Sequence, residues 1–294
     1  MHNEYDLSII TVNYNGLADT CSLISTVPFD RIRLEMIVVD NGSANDEASL
    51  ISERYPQVRV IRSEENLGFA GGNNLGIRAA RGRYVFLVNN DALLPPSADG
   101  LKALMARLDA SPQTAMVSPK IRFELWPGKP IQYAGYTPLS RITVRNKSIG
   151  YGAADDGSYD QPHPTPYCHG AAVMIRREAI EKVGEMPECY FLYYEELDWS
   201  MMFTRSGYAI WYDPALTVWH KESRSTGEHS PLKTYYLTRN RLLLVRRNWP
   251  PAYRPLAYSY LLLIADTAAV LKHLFTGHFK HAWATMKGIK DFLT

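Results

Sequence analysis

Over the first hundred residues, short apolar runs alternate with stretches of helical spacing. Leu7–Val12 (LSIITV), Leu34–Asp40 (LEMIVVD), Val58–Ile61 and Tyr84–Val88 (YVFLV) are short runs rich in Val and Ile. That pattern fits strands of a parallel sheet buried on both faces. Leu17–Thr26, Asn45–Arg54 and Gly72–Ala80 lie between them and read as helices. The order β-α-β-α-β-α-β predicts a wound α/β sheet. In such sheets ligands bind beyond the carboxyl ends of the strands. Three of the four runs stop there in polar clusters: Asn13-Tyr14-Asn15, Asp40-Asn41-Gly42-Ser43 and Asn89-Asn90-Asp91. Asn, Asp and Gly make turns in any case, so one cluster alone would mean little. Three on the same rim predict a site.

The pattern changes after residue 125. Residues 126–168 are rich in Pro, Gly and Tyr, with a hairpin predicted around Ile131–Arg145 and a mobile loop over Asp155–Pro166. Cys168–Ile175 resumes strand character. Glu195–Ser206 reads as a helix stopped by Gly207. Tyr208–Tyr212 and Leu216–Trp219 read as two further strands. After Pro231 three helices are expected: Leu232–Asn248, Leu256–Phe275 and His278–Leu293.

With 46% hydrophobic and 21% charged residues among 294, the chain is not a disordered one. The net charge of +2 hides an asymmetry: residues 221–294 hold twelve Lys/Arg and four Asp/Glu, a net of +8, which leaves −6 on the preceding part. An acidic front suits a metal or polar site, and a basic tail suits an anionic partner. No nucleic-acid-binding motif accompanies the basic tail, so nucleic acid is not expected. Three cysteines without a CxxC spacing predict neither a disulfide framework nor a zinc site. They fit a reducing, cytoplasmic compartment. The polar start, Met1 to Asp6, does not read as a secretory leader.

Asp91 closes a strand behind Asn89 and Asn90, and such oxygen donors suit Mg²⁺ or Mn²⁺. His220 follows the apolar run Leu216–Trp219 and sits at another predicted strand end, where its imidazole would suit Mn²⁺. Glu195, Glu196 and Asp198 form an acidic trio at a predicted helix start. The helix dipole explains acids there, and a general base for a hydroxyl nucleophile is the functional reading. Glu65–Gly76 (ENLGFAGGNNLG) is glycine-rich and leads into a helix, a turn able to bring N–H groups to phosphate. It matches neither Walker A nor GxGxxG spacing.

These pieces, in this order, resemble glycosyltransferase family 2, the inverting enzymes of GT-A fold. The resemblance lies in TVNYNG (Thr11–Gly16), VVDNGS (Val38–Ser43), ENLGFAGGNN (Glu65–Asn74), VNNDALLPP (Val88–Pro96), GAAVMIRREAIEKVG (Gly170–Gly184), FLYYEELDWSMMFTRSGY (Phe191–Tyr208), the histidine after YDPALTVWH (Tyr212–His220) and YYLTRN (Tyr235–Asn240). It covers residues 6–248 and is nearest the rhamnosyltransferase-like branch that builds surface polysaccharides. The resemblance implies a catalytic domain over 1–230, with a nucleotide-sugar half to about 120 and an acceptor half beyond it. A C-terminal helical region over 231–294 would follow.

The resemblance also implies roles. Asp40 would bond the nucleotide base, with Thr11 and Asn13 lining its pocket and Asn66, Asn73 and Asn90 near base or pyrophosphate. Asn89-Asn90-Asp91 stands where relatives carry DxD, so Asp91 and His220 would hold the metal, with an amide at Asn89 in place of the first acid. Glu196 would be the base, Glu195 its fallback, and Asp198 a positioning group. Arg224 or Arg239 could assist the leaving diphosphate. The donor expected is dTDP-rhamnose, with UDP-linked sugars as alternatives, and the acceptor a glycan or lipid-linked hydroxyl. A catalytically silent nucleotide-sugar-binding or scaffold protein of the same fold is the rival reading. Leu256–Phe275 is long enough to span a bilayer, but Asp266 and Lys272-His273 argue for a buried or interfacial helix instead. Arg239, Arg241, Arg246, Arg247 and Arg254 could then meet anionic lipid at the inner face of the membrane. An ordinary packing helix or a contact between copies of the chain is the other expectation.

Overall fold

The computed structural model describes residues 4–221 and 230–294. Its first half alternates strand and helix: β1 (Tyr5–Asn13), α1 (Leu17–Thr26), β2 (Leu34–Asn41), α2 (Glu47–Arg54), β3 (Arg59–Ser63), α3 (Gly68–Ala79) and β4 (Gly82–Val88). These four strands lie in the order β3-β2-β1-β4, all parallel. Every residue of β2 is buried, which is why its sequence shows no alternation. α3 starts four residues ahead of the expected Gly72, running through a glycine-rich turn that intrinsic propensity disfavours. Close packing overrides propensity here. A Cβ on Gly76 would stand 2.3 Å from Ile10 Cγ2, and one on Gly72 2.8 Å from Val12 Cγ1. The bare glycines let α3 lie directly on β1.

The second half extends the same sheet with β5 (Ala92–Leu93), α4 (Asp99–Asp109), β6 (Thr114–Phe123), β7 (Ile131–Tyr133), β8 (His163–Pro164), β9 (Ala172–Arg176), α5 (Arg177–Val183), α6 (Glu195–Arg205) and β10 (Ala209–His220). The described strands form one ten-stranded sheet, continuing β4-β9-β6-β10-β5. β9 runs antiparallel between β4 and β6, and β10 runs parallel to β6. α4 and β6 have no counterpart among the expected elements, although buried Leu101, Leu104 and Leu108 stand at helical spacing. The two strands expected at Tyr208–Tyr212 and Leu216–Trp219 are one strand, β10. A register shift between Asp213 and Thr217 absorbs the Pro-containing break.

The hairpin is longer than Ile131–Arg145, with backbone bonds running out to Ala153 (Ile131 N–H to Ala153 O, 2.9 Å; Ala134 N–H to Ile149 O, 3.1 Å). The segment expected as a mobile loop, Asp155–Pro166, is tied down. Lys120, only 3% exposed, draws in Asp155 at 2.7 Å and also Asp160. A buried ammonium needs such counter-charges. The Tyr212 hydroxyl donates to Tyr159 O at 2.8 Å, and β8 pairs with β10.

The chain ends in helices: α7 (Pro231–Asn248), α8 (Arg254–Ser259), a π-helical stretch (Tyr260–Asp266), α9 (Thr267–Phe275) and α10 (Phe279–Leu293). Ser230 caps α7, its Oγ accepting from Lys233 N–H at 3.1 Å, with Pro231 at the first helical position. A Cβ on Gly288 would stand 2.8 Å from Tyr235 O, so α10 and α7 touch backbone to backbone. The continuous run Pro251–Phe275 is long and apolar enough to cross a membrane, and little of it is covered by the rest of the chain. It is therefore not the buried core helix considered above. Four of the five arginines expected to face lipid are engaged internally. Arg239 donates to Cys189 O and Tyr190 O, Arg241 to the Tyr194 hydroxyl, Arg247 to Asp198 and Arg254 to Trp249 O. The Arg246 guanidinium lies 4.8 Å over the Phe292 ring.

Candidate active site

Strand ends build the metal side. The turn after β4 carries Asn89, Asn90 and Asp91, and its register is held by Asn89 N–H on Ala171 O at 3.0 Å. β5 then pairs antiparallel with the end of β10, setting Ala92 opposite His220. That pairing brings together side chains far apart in sequence. Asp91 Oδ1 stands 3.1 Å from His220 Nε2, and Asn89 Nδ2 stands 3.2 Å from the same nitrogen. On the other side of the ring, His220 Nδ1 lies 2.9 Å from Gln132 Oε1. An amide oxygen accepts only, so this contact assigns the proton to Nδ1 and turns the Nε2 lone pair toward Asp91. A carboxylate oxygen and an imidazole lone pair at that distance fit a shared divalent cation. Among the described residues no cluster of three His, Cys, Asp or Glu side chains forms a fuller site. Burial would raise the Asp91 carboxyl, but when the His220 ring carries a proton on Nε2 as well, with no cation between them, its hydrogen bond and charge, with Lys221, outweigh burial and hold the carboxyl below the usual carboxylate value.

The acid side comes from α6. Phe191, Tyr193 and Tyr194 all have positive φ (65°, 69° and 77°), a costly conformation for bulky residues. Asn240 pins this loop, its Nδ2 lying 2.9, 2.7 and 3.0 Å from the carbonyls of Tyr190, Leu192 and Tyr193. The loop delivers Glu195 and Glu196 to the cleft wall. Glu195 is buried, and its Oε2 has no hydrogen-bond partner among the described residues. Glu196 is half-buried beside Gly170, where a Cβ would stand 3.8 Å from Glu196 Cγ. Burial pushes both carboxyls above the ordinary glutamate value, and the Glu196 charge pushes Glu195 further. Asp198 is not part of the cleft wall. It is fully buried and bound by the Tyr190 hydroxyl (2.9 Å), Asn248 Nδ2 (2.9 Å) and Arg247, so it ties α6 to α7.

The cleft between these groups has a volume of about 630 Å³, and Asn66, Asn73 and Asn90 also line it. Thr11, Asn13 and Asp40 do not. They are buried beneath the rim, where Asn13 Nδ2 lies 2.7 Å from Glu47 Oε2 and 3.1 Å from Asp40 Oδ1. Thr11 Oγ1 and Asp40 Oδ2 have no partner there among the described residues, a costly state for buried polar atoms. The glycine-rich turn does not present its first N–H groups as a phosphate cradle. Leu67 N–H bonds Asn41 Oδ1, Gly68 N–H bonds Asn66 Oδ1, and Phe69 N–H bonds Phe191 O. The turn instead links the end of β2 to the loop before α6. Of the two arginines expected near a leaving group, Arg239 is spent on the carbonyls of Cys189 and Tyr190, and Arg224 lies outside the described residues.

Sequence reasoning passed over Gln132 and His169, both on the cleft wall. His169 is pushed down to about 3 by burial and by His220, so it stays neutral. The ring of Tyr136 stacks on it at 5.9 Å. Its place directly before the Gly170–Gly184 motif was the available signal. Gln132 has none, because its role follows from the fold of the hairpin. From α7, Leu232, Lys233 and Tyr236 close the cleft, with Tyr236 stacked on Phe191 at 5.3 Å.

Residues 8–184 match the model of the family described as glycosyl transferase family 2. The chain is 27% identical over 275 residues to the low-salt glycan biosynthesis hexosyltransferase Agl10 of Haloferax volcanii, covering 92% of this chain and 85% of that protein. It is 25% identical over 214 residues to the N-acetylglucosaminyl-diphospho-decaprenol L-rhamnosyltransferase of Mycobacterium tuberculosis, covering 66% of this chain and 68% of that protein. Among solved structures, the mannosyltransferase PcManGT of Pyrobaculum calidifontis, in complex with GDP-Man and Mn²⁺, superposes with a TM-score of 0.60 at 18% identity. That match covers 99% of this chain and 87% of the mannosyltransferase, and it shows a common GT-A fold.

Proposed function

The chain belongs to glycosyl transferase family 2, and from that premise we propose that it moves a sugar from a nucleotide diphosphate to a hydroxyl of a glycan or lipid-linked acceptor, with inversion at the anomeric carbon. The observation that carries the reading is convergence: Asp91, His220, Glu195 and Glu196 line one cleft. The favoured donor is dTDP-rhamnose, supported by similarity to a rhamnosyltransferase, with UDP-linked sugars as the alternative. Asp40 Oδ2, buried beneath the rim without a partner among the described residues, would accept from a pyrimidine N–H of either donor once the rim above it opens, with Asn13 Nδ2 holding its Oδ1 at 3.1 Å and Thr11 beside it on β1. Asn66, Asn73 and Asn90 line the groove for the rest of the nucleotide.

In the transfer, the acceptor oxygen bonds to the anomeric carbon while the bond from that carbon to the diphosphate breaks. Glu196 takes the hydroxyl proton, because its half-buried carboxylate is the more accessible of the pair. Burial raises the proton affinity of Glu196, and Glu195 stands beside it on the cleft wall as the fallback base. Asp91 and His220, with Asn89 alongside, would hold Mg²⁺ or Mn²⁺. When bound, the ion would offset negative charge growing on the departing diphosphate. Gln132 keeps the His220 ring in the tautomer that leaves Nε2 free. Tyr193, Phe191 and Tyr236 supply apolar faces on which a sugar could stack.

The test is turnover of dTDP-rhamnose and UDP-sugars with Mg²⁺ or Mn²⁺, beside Glu196→Gln. Loss of the base should lower the transfer rate by about 10²- to 10⁴-fold while leaving nucleotide affinity near wild type. Full activity in that variant overturns the base assignment. The amide at Asn89 favours one other reading, a silent nucleotide-sugar binder, which predicts binding without turnover.

A further inference from the structure

The last two helices fold back on each other and leave their outer sides uncovered. On α9 and the turn ahead of it, Leu263 (72% exposed), Ile264 (59%), Leu271, Leu274 and Phe275 (86%) face outward. On α10, Phe279 (67%), Trp283 (61%), Met286 and Leu293 follow at helical spacing along one face. Monomeric soluble proteins rarely leave so continuous an apolar strip open.

The charges around the strip decide what covers it. Residues 251–294 hold five Lys/Arg and two Asp/Glu. Both acids are taken up within the protein. Asp266 is buried in the field of Arg241 and Arg145, and Asp291 accepts from Lys287 and, at 2.9 Å, from the Tyr235 hydroxyl. Lys272, Lys280 and Lys290 stay exposed beside the strip. Apolar side chains flanked by lysines, with one acid buried and the other paired, complement an anionic bilayer surface. A second copy of the same face would set lysine against lysine.

We propose that the outer face of α9 and α10 docks in the plane of an anionic membrane, with Phe275, Phe279 and Trp283 in the acyl boundary and Lys272, Lys280 and Lys290 on the head groups. The run lies on the surface and does not span it. Its inner side is already used, since Ala257, Leu261 and Asp266 are buried against the protein. The first turn of α10 also touches the first turn of α7 (His281 Nδ1 to Thr234 Oγ1, 2.9 Å), which carries the cleft residues Leu232, Lys233 and Tyr236. The docked face therefore sets the cleft beside the bilayer. That this serves a lipid-linked acceptor rests on the transfer reading, whereas docking itself does not.

The experiment is co-sedimentation of the full chain with vesicles of phosphatidylcholine alone or in equal parts with phosphatidylglycerol, at low and high salt. Binding is expected on the anionic vesicles at low salt, weakened by salt and by neutral lipid. Phe279→Ser with Trp283→Ser should reduce the partition coefficient at least tenfold. Lys280→Glu with Lys290→Glu should reduce it by about tenfold or more on anionic vesicles only. Trp283 fluorescence should shift to the blue on binding, and Trp283→Phe should remove the shift. Unchanged thermal unfolding and nucleotide binding show that both doubly substituted chains are folded. No binding to anionic vesicles, or equal binding by the variants, overturns the proposal. So does a dimer that the apolar substitutions dissociate, or protein released from membranes only by detergent. A docking failure with normal sugar transfer leaves the transfer reading standing.

Discussion

Glu195 and Glu196 begin a helix, where the dipole favours negative charge, yet both carboxyls are pushed upward. Burial outweighs the dipole because a desolvated carboxylate loses more than one turn of N–H groups returns. A base with a raised value is protonated as pH falls, so the acid-side decline of transfer should lie above that of an ordinary glutamate. An acid limb at or below the ordinary glutamate value would contradict this. The same shift bears on stability: a carboxyl raised on folding contributes fully below its unfolded value and loses that contribution as pH rises through its folded value. Glu195→Gln should therefore raise the melting temperature at pH 8 and do little at pH 4, read by calorimetry. Asp91 shifts the other way. Asp91→Ala should weaken Mn²⁺-dependent nucleotide binding by about tenfold or more, measured by titration calorimetry with and without the metal. Asp91, His220 and the acid pair were legible because they end strands or start a helix. Asp198 was expected to position its neighbours, and only packing shows which: it binds Arg247 and Asn248 of α7 rather than groups in the cleft.

Elements were legible where local pattern and tertiary burial agree. The fully buried β2 is one such case, and the run LEMIVVD marks it within a residue. They were not legible where a distant partner decides. The segment Asp155–Pro166 is polar and reads as mobile, but the buried Lys120 on β6 pins it. α3 shows the same tension, since its glycines weaken a helix and yet fit β1. Gly76→Ala should cost about 1–3 kcal/mol, because its Cβ would stand 2.3 Å from Ile10 Cγ2 inside a packed layer. A denaturant midpoint equal to wild type would refute that contact. Asn240 holds three carbonyls of a strained loop. Asn240→Ala should cost about 1–3 kcal/mol and speed proteolysis between Tyr190 and Tyr194, with transfer falling more than nucleotide binding.

At the scale of the molecule, one sheet carries both halves of the cleft, one side on parallel β1, β2 and β4 and the acid side reached through β9 and α6. A donor bound across it should stabilise the whole chain by mass action. About 2.7 kcal/mol is expected at a hundredfold excess over Kd, a rise of several degrees in melting temperature that a nucleotide panel would read. The order of apolar runs, the polar stops and the spacing of the family motifs were enough to determine a wound α/β chain of this family, because burial on both faces writes itself into composition. The linear order could not decide which stops meet. The antiparallel pairing of β5 with β10 sets Asp91 against His220, α7 closes the loop before α6, and Asp266 is buried while Asp291 bonds Tyr235 of α7, which leaves a lysine-edged apolar face. Those are contacts between segments distant along the chain, fixed by packing rather than by any local preference.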